Sequence, residues 1–292
     1  MHKAGFVNII GSPNVGKSTL MNRLVGERLS IITSKKQTTR HRIMGIVNEE
    51  DYQIVFSDTP GVLDPSYKLH ENMMSFVSTA ITDADVILLV TDIFEKQTAH
   101  KETLERIQNH SAPVLVLVNK VDLSTDEEKL LQAIENWKKL IPRAEILPIS
   151  ALHGFSTDFI FPKLLELLPE SPPFFPKDEL TDKPMRFFVS EIIREKIFEN
   201  YTKEVPYSTE VEVELYKEKP NIVEIRAIIY VSRSSQKPII IGQQGAKLKK
   251  VGTEARKDLE QFIGSKVFLD LYVKVDKDWR DKETELRKFG YQ

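Results

Sequence analysis

The chain has 292 residues, of which 41% are hydrophobic and 29% charged, and its formal net charge is −2. This length favours two domains, and the composition is that of an ordinary globular protein. The sequence contains no cysteine, which excludes disulfides and thiolate metal sites and fits a reducing compartment. No apolar run approaches the roughly 20 residues that span a bilayer, so we expect a cytoplasmic protein without a signal peptide.

Up to residue 168, short apolar runs alternate with helical stretches. The runs at 86–91 and 114–118 are apolar without alternation, which is typical of strands buried on both faces of a mostly parallel sheet. Further strands are predicted at 4–10, 42–48, 52–57 and 145–149, and helices at 18–24 and 127–140. These elements predict an α/β domain of three layers over residues 1–168.

A phosphate-binding loop follows the first predicted strand. Residues 11–18 read Gly-Ser-Pro-Asn-Val-Gly-Lys-Ser and match G-x-x-x-x-G-K-[ST] between a strand and a helix. The backbone N–H groups of such a loop and the helix N-terminus bind phosphates. Lys17 is predicted to reach the β- and γ-phosphates, and the Ser18 hydroxyl to bind Mg²⁺. The candidate phosphate-binding residues are Asn14, Val15, Gly16, Lys17, Ser18 and Thr19.

Two further segments indicate a site for the γ-phosphate and its metal ion. Asp58-Thr59-Pro60-Gly61 follows the strand at 52–57, where Asp58 can hold Mg²⁺ through water and the Gly61 N–H can contact the γ-phosphate. In the polar segment 33–42, a threonine is expected to close on Mg²⁺ when the γ-phosphate is present. Thr39 is the first candidate and Thr38 the alternative. The catalytic candidates are Lys17, Thr39 and Gly61, and the metal-binding candidates are Ser18, Thr39 and Asp58.

The base is expected to bind at the ends of the last two strands. Asn119-Lys120-Val121-Asp122 follows the strand at 114–118. The Asp122 carboxylate can accept both N–H donors on the Watson–Crick edge of guanine, and adenine lacks one of them, so GTP should be preferred over ATP. Lys120 can lie along the base, and the Ala151 N–H can reach the guanine O6. The candidate base-side residues are Asn119, Lys120, Asp122, Ser150 and Ala151.

Val62 stands directly after Gly61, where Ras-like enzymes carry a glutamine that orients the attacking water. A valine cannot polarise water, so we expect slow intrinsic hydrolysis of GTP. We hypothesise that K⁺, held in part by Asn14, supplies the missing positive charge.

A change of pattern indicates a second domain. Residues 169–184 include Ser-Pro-Pro-Phe-Phe-Pro and are predicted to be a linker, with Phe174 and Phe175 packed on a domain surface. Residues 185–292 carry 21 basic and 18 acidic side chains, a net charge of +3, against −5 for 1–184. The predicted elements are a helix at 187–199, strands at 209–216 and 222–231, Gly-Gln-Gln-Gly at 242–245, a helix at 246–263 and a strand at 267–275.

Over essentially its whole length, the chain resembles the Era family of bacterial ribosome-assembly GTPases. The most specific features are Gln-Thr-Thr-Arg-His-Arg-Ile at 37–43, Asn14 in the phosphate loop, residues 232–256, and Lys-Asp-Trp-Arg at 277–280. The resemblance implies an α/β, Ras-like P-loop GTPase domain followed by an α+β type II KH domain over 185–292. It implies GTP or GDP with Mg²⁺ as ligands, binding to the 3′ region of small-subunit ribosomal RNA, and assistance in maturation of the 30S subunit. The family also lacks the Ras-type glutamine, in agreement with Val62.

As a KH module, the second domain would let a nucleic-acid backbone approach the Gly-x-x-Gly loop closely. Residues 239–241 would form an apolar wall of the groove, and the nearby lysines would contact phosphates. Many KH loops carry Lys or Arg where this chain has Gln243-Gln244, which lowers the expected affinity. The candidate RNA-binding residues are Arg233, Lys237, Ile241, Gly242, Gln243, Gln244, Gly245, Lys247, Lys249 and Lys250.

Two other functions were weighed. The chain could be an RNA-binding module in which the nucleotide is a passive ligand. It could also contact the inner face of the cell membrane peripherally through the thin amphipathic segment 279–289, although this segment is too polar to insert convincingly. His70, His100 and His110 lack metal-ligand spacing, and nothing indicates a dimer, so we expect a monomer.

Overall fold

The computed structural model describes residues 2–95, 100–124 and 126–291. These residues divide into two compact units, one formed by Met1–Ser66 with His70–Asp182 and the other by Tyr67–Leu69 with Lys183–Gln292. None of the helices in the described part of the chain combines the length and the apolar character needed to cross a membrane.

A central sheet organises the first unit. Within the described residues it has six strands in the order β2-β3-β1-β4-β5-β6, and every pairing is parallel except that of β2 with β3. The strands are β1 (Lys3–Ile10), β2 (Ile43–Asn48), β3 (Tyr52–Asp58), β4 (Val86–Asp92), β5 (Val114–Asn119) and β6 (Glu145–Pro148). The buried parallel strands predicted from the unbroken apolar runs are confirmed, because β4 and β5 are buried over almost their whole length.

Helices connect and cover these strands. They are α1 (Lys17–Val25), α2 (Lys68–Thr82), α3 (Lys101–Asn109), α4 (Glu127–Leu140) and α5 (Ile160–Leu167). Helix α4 has the predicted bounds, and Asp126 caps it by accepting a hydrogen bond from the Lys129 backbone N–H. The carboxyl ends of β1, β3, β4 and β5 meet at one edge of the sheet, and the loops that follow them carry the candidate nucleotide-binding residues.

The segment after α5 packs on the first unit. The ring centroids of Phe174 and Phe6 lie 5.0 Å apart. The backbone N–H groups of Phe174 and Phe175 donate to Gln53 Oε1 at 2.7 and 3.0 Å. The prediction that these two phenylalanines pack on a domain surface is confirmed.

Farther along, the same segment pairs with the free edge of β2. The Ile46 N–H donates to the Leu180 carbonyl at 2.8 Å, and Gly45 forms an antiparallel bridge with Thr181. The stretch predicted as a linker, 169–184, therefore belongs to the first unit up to Asp182.

Helices pack against a smaller sheet in the second unit. Strands β7 (Thr209–Lys219) and β8 (Ile222–Val231) form an antiparallel hairpin, and β9 (Val267–Val275) pairs with β8 in parallel. The helices are α6 (Met185–Asn200), α7 (Gln236–Ile241), α8 (Ala246–Ile263) and α9 (Glu283–Lys288). The predicted bounds of β8, α8 and β9 are confirmed, and β7 runs three residues farther than predicted.

A buried ion pair lies on α6. Arg194 Nε and a terminal guanidinium nitrogen donate to the two carboxylate oxygens of Glu191 at 2.7 and 2.5 Å. Burial opposes the charge of Arg194, but the Glu191 carboxylate raises the pKa of the guanidinium above its usual value. Such a pair fixes one packing arrangement, and loss of either partner leaves a buried charge uncompensated.

The C-terminal segment buries its apolar side chains. Trp279 and Leu286 are fully buried, Trp279 Nε1 donates to the Ser208 carbonyl at 3.0 Å, and the Trp279 and Phe289 rings meet edge-on at 5.5 Å. Membrane contact through 279–289 stays an untested alternative, and the burial of these side chains argues against it.

Candidate functional site

The phosphate loop forms between β1 and α1. Its backbone turns at Asn14 and Gly16, which have φ values of 66° and 101°. A side chain at Gly16 would collide with the amide group of Asn119, so glycine is required there. No side chain caps the N-terminus of α1, and its first N–H groups are therefore available to an anion.

Lys17 is buried inside this loop. Its ammonium group donates to the carbonyl oxygens of Gly11 and Ser12 at 3.1 and 2.8 Å. Burial lowers the pKa of Lys17 to about 8, although the carboxylates of Asp58 and Glu95 oppose the shift. Backbone carbonyls thus hold Lys17 in the loop. Because burial disfavours its positive charge, a negatively charged group that binds beside it would be stabilised.

Three oxygen-bearing side chains meet beside Lys17. Ser18 Oγ donates to Asp58 Oδ2 at 2.6 Å and lies 2.9 Å from Thr39 Oγ1. The other carboxylate oxygen, Asp58 Oδ1, is buried and has no hydrogen-bond partner among the described residues. Burial raises the pKa of Asp58, while Ser18 and Lys17 lower it. Buried hydroxyl and carboxylate oxygens with unused acceptor capacity fit a hard divalent cation such as Mg²⁺.

The structure separates the two candidate threonines of segment 33–42. Thr38 Oγ1 donates to the Lys35 carbonyl at 2.8 Å and lies 2.6 Å from Thr33 Oγ1. Thr38 therefore bonds within its own loop, whereas Thr39 reaches Ser18.

No cluster of three or more His, Asp or Glu side chains suited to a metal ion occurs in the described part of the chain.

At the other end of the cleft, Asn119 joins two loops. Its Nδ2 donates to the Val15 carbonyl at 2.7 Å, and its Oδ1 accepts from the Ala151 N–H at 2.9 Å. Asn119 is only 3% exposed. It thus holds the phosphate loop and the segment after β6 together, with one hydrogen bond from each end of its amide.

Lys120 and Asp122 take different environments. Lys120 adopts a left-handed φ of 63°, and its ammonium group pairs with Asp92 Oδ2 at 2.7 Å. The Asp122 carboxylate lies 3.6 Å from His153 Nε2. Asp122 faces the cleft and can accept two parallel N–H donors there.

Most of the predicted nucleotide-binding residues line one cleft of about 520 Å³, a volume typical of small-molecule sites. Lining it from the predicted set are Asn14, Gly16, Lys17, Ser18, Thr19, Thr39, Gly61, Asn119, Lys120 and Asp122. Ile31, Ile32, Leu123 and Leu152 also line it, and sequence reasoning missed them because isolated apolar loop residues carry no recognisable spacing.

Four predicted residues lie behind the wall of the cleft: Val15, Asp58, Ser150 and Ala151. Ser150 Oγ accepts the His153 N–H at 3.2 Å, so this side chain shapes its own loop. The Ala151 N–H, expected to reach a guanine O6, is instead donated to Asn119. Both residues organise the loop in this structure, and the contact of the Ala151 N–H with a guanine O6 stays a prediction.

Gly61 and Val62 close the cleft beside the phosphate loop. A Cβ atom at Gly61 would lie 2.7 Å from Pro13 Cα, so only glycine allows this approach. The Val62 N–H donates to the Gly11 carbonyl at 3.1 Å, and its side chain is buried in the core. Val62 can neither reach nor orient a water molecule in the cleft.

In the second unit, residues 242–245 turn sharply between α7 and α8. Gly242, Gln244 and Gly245 have φ values of 72°, 49° and 78°. A Cβ at Gly242 would lie 2.7 Å from Lys247 Cγ, whereas a Cβ at Gly245 would meet nothing within 4 Å. Because the space beside Gly245 is open and no side chain caps α8, backbone and phosphates of a ligand can approach there.

The side chains around this turn are mostly exposed. The exposed members of the predicted RNA-binding set are Arg233, Lys237, Gln243, Gln244, Lys247, Lys249 and Lys250. Of the three isoleucines expected in the groove wall, Ile239 is 44% exposed, Ile241 is half-buried and Ile240 is fully buried. The assignment of Ile240 to a groove wall is wrong, since helix α7 turns it into the core.

The fold and the cleft thus define a Ras-like P-loop GTPase domain, with a KH domain after it. Comparison with known proteins agrees: residues 6–120 match the family described as 50S ribosome-binding GTPase, and residues 204–280 match the KH domain family. GTPase Era of Staphylococcus haemolyticus (strain JCSC1435) is 44% identical over 292 residues, which cover 99% of this chain and 97% of that protein. The chain belongs to the Era family of GTPases.

Two solved structures are similar over the full length. One is Era in complex with MgGDPNP and nucleotides 1506–1542 of 16S ribosomal RNA, with a TM-score of 0.95, 41% identity, and 100% of this chain and 99% of that chain covered. The other is an Aquifex aeolicus Era variant bound to GDP and AlF₄⁻, with a TM-score of 0.93, 41% identity and 99% of each chain covered.

Proposed function

We propose that this chain is a GTP-hydrolysing switch that binds the 3′ region of 16S ribosomal RNA through its KH domain and assists maturation of the 30S subunit. The observation that carries the proposal is the convergence of three groups at one cleft: Lys17, the Ser18–Thr39 pair with Asp58 bonded behind it, and Asp122. The first two suit a triphosphate with its metal ion, and the third suits a guanine. The two Era structures that contain MgGDPNP and GDP with AlF₄⁻ support the same ligands for this chain.

Each residue of the cleft has its own proposed role. Lys17 binds the β- and γ-phosphates, Gly61 offers its N–H to the γ-phosphate, and Asp122 selects guanine over adenine. Ser18 and Thr39 would hold Mg²⁺ directly and Asp58 through water. When bound, Mg²⁺ neutralises the charge that develops on the phosphates during transfer.

Hydrolysis is expected to be slow without help, because Val62 is buried and cannot orient water. We propose that K⁺ contributes the missing charge beside Asn14. The Asn14 amide lies 3.0 Å from the Ser34 carbonyl, so rotation of the amide would direct two oxygens to one point, as a monovalent cation requires. GTP hydrolysis should be faster in KCl than in NaCl, and Asn14→Ala should remove the difference; equal rates in both salts would contradict the K⁺ proposal.

RNA binding is assigned to the turn at 242–245 and the start of α8. The exposed lysines there supply positive charge, and the uncapped helix end supplies N–H groups for phosphates. The Era structure that contains nucleotides 1506–1542 of 16S ribosomal RNA supports this choice of partner. We propose that GTP closes the 33–42 and 58–75 regions and thereby changes how the KH domain presents its groove.

The test is RNA affinity in two nucleotide states. A single-stranded RNA from the 3′ end of 16S ribosomal RNA is titrated against the full chain with GDP or with GDPNP. Binding about tenfold tighter with GDPNP corresponds to roughly 1.4 kcal/mol of coupling and would support the switch. Equal binding would favour an RNA-binding module with a passive nucleotide, and no binding in either state would refute the RNA assignment.

We propose a location in the cytoplasm, with peripheral contact at the inner face of the cell membrane as the alternative. Because Trp279 and Leu286 are buried, the segment 279–289 does not supply the apolar face that such contact needs. Flotation with liposomes of anionic lipid checks this: we expect the protein to stay with the unbound fraction, and comigration would restore the membrane alternative.

A further inference from the structure

The turn that follows β4 folds back onto the phosphate loop. Asp92 Oδ1 accepts the Phe94 N–H at 2.9 Å, and the Asp92 carbonyl accepts the Glu95 N–H at 3.1 Å. These bonds aim Glu95 at the loop, where its Oε1 accepts a short hydrogen bond from Ser12 Oγ. Its Oε2 accepts from Thr91 Oγ1 at 2.6 Å. The carboxylate therefore ties the loop to the end of the central strand.

Glu95 holds the first half of the phosphate loop, at Ser12, and this half contacts the two residues assigned to the γ-phosphate. The Ser12 carbonyl accepts from the ammonium group of Lys17 at 2.8 Å, and Pro13, the next residue, packs against Gly61. Lys17 and Gly61 are the groups assigned to the γ-phosphate. The residues assigned to Mg²⁺ and to the base lie elsewhere: at Ser18, in the segment 33–42, at the end of β3 and after β5.

We propose that Glu95 is a positioning residue for GTP hydrolysis, which fixes Ser12 and Pro13 so that Lys17 and Gly61 meet the γ-phosphate in the reactive geometry. The inference rests on the proposed hydrolysis of GTP in this cleft. Glu95 does not line the cleft; it bonds Ser12, and its charge also attracts the ammonium group of Lys17. Small displacements of groups that stabilise a transition state reduce the rate of the chemical step more than they reduce ground-state binding.

The hydrogen-bond chemistry provides variants that separate position from charge. Alanine at 95 removes both acceptors and frees Ser12. Glutamine keeps a carbonyl oxygen that can accept from the Ser12 hydroxyl and removes the negative charge. Ser12→Ala removes the same contact from the other side, so it should reproduce the alanine effect.

The experiment measures single-turnover GTP hydrolysis and the affinity for a fluorescent GDP analogue in the full chain. We expect Glu95→Ala and Ser12→Ala each to slow hydrolysis about tenfold while GDP affinity stays within about threefold of wild type. The double variant should be no slower than Glu95→Ala, because that substitution already removes the Ser12 contact together with the Thr91 contact. Glu95→Gln should recover most of the rate, and Glu135→Ala, at an exposed position on α4, is the matched control.

Two results would overturn the proposal: an unchanged hydrolysis rate in Glu95→Ala, or equal losses of GDP affinity and hydrolysis together with a lowered melting temperature, which indicate only structural damage. The wild-type rate separates failure of the Glu95 proposal from failure of the proposed GTPase function. Absence of GTP hydrolysis by the wild-type chain with Mg²⁺ and KCl would instead refute the proposed function itself.

Discussion

Replacement of Asn119 by alanine should weaken nucleotide binding, because both ends of its amide bond to protein loops that line the cleft. Its Nδ2 donates to the Val15 carbonyl at 2.7 Å and its Oδ1 accepts the Ala151 N–H at 2.9 Å. These contacts hold the phosphate loop and the loop after β6 at their relative positions. A nucleotide bridges both loops, so binding depends on this arrangement.

The magnitude follows from the two lost contacts. Each buried hydrogen bond contributes about 1 kcal/mol net, and a partner left unsatisfied away from water costs up to roughly 3 kcal/mol. Since Asn119 is only 3% exposed, little water can replace the amide. Without the Asn119 contacts, the two loops of the unliganded variant can leave their binding arrangement. Part of the binding free energy is then used to restore this arrangement. We therefore expect at least about 2 kcal/mol of lost binding free energy, which is about a 30-fold rise in the Kd for GDP.

The assay is displacement of a fluorescent GDP analogue, with circular dichroism as a check on folding. Asn119→Asp should bind at least as weakly as Asn119→Ala, because its carboxylate keeps the Ala151 contact but repels the Val15 carbonyl. Asn109→Ala, at the exposed end of α3, is the matched control and should bind as wild type. If a folded Asn119→Ala variant bound GDP within about threefold of wild type, the loop-joining role would be refuted.

Three further outcomes are expected. Gly61→Ala should reduce GTP hydrolysis at least about tenfold and leave GDP affinity within about threefold, because a methyl group would lie 2.7 Å from a backbone carbon of the phosphate loop; an unchanged rate would contradict the close approach. Lys249→Gln should weaken RNA binding and lower the salt slope by about 0.7, whereas Lys266→Gln, exposed before β9, should not; equal effects of the two would contradict the assigned surface. Glu191→Gln should destabilise the second unit by about 3 kcal/mol, because it removes the strongest buried counter-charge of Arg194 and leaves the weaker attraction of Glu210. Thermal unfolding would show this, and a change below about 1 kcal/mol would contradict it.

The nucleotide site was predictable where its chemistry requires fixed residue types next to strand ends. A lysine after Gly16, a carboxylate after β3 and a carboxylate after β5 can be recognised without a structure, because the parallel sheet brings those ends together. Strand β9 was equally predictable from the two-residue alternation of its apolar side chains.

Other features depend on contacts between distant residues and leave no local pattern. Neighbouring threonines at 38 and 39 have the same chemistry, and only the path of the loop sends one of them to Ser18. The isoleucines at 239–241 look alike in sequence, and the packing of α7 decides which is buried. Glu95 reaches Ser12 from 83 positions away, through a turn that no periodicity indicates.

The pairing of residues 180–182 with β2 has a consequence for dissection of the chain. In the intact protein, the Leu180 carbonyl and the Thr181 bridge occupy the outer edge of β2. A GTPase fragment ending at residue 168 would leave a row of unpaired N–H and C=O groups on that strand, which is a template for edge-to-edge association. A fragment ending at residue 182 would keep the edge covered. The stretch between the last helix of the first unit and the first helix of the second therefore serves as a protective cover for the sheet as well as a connection.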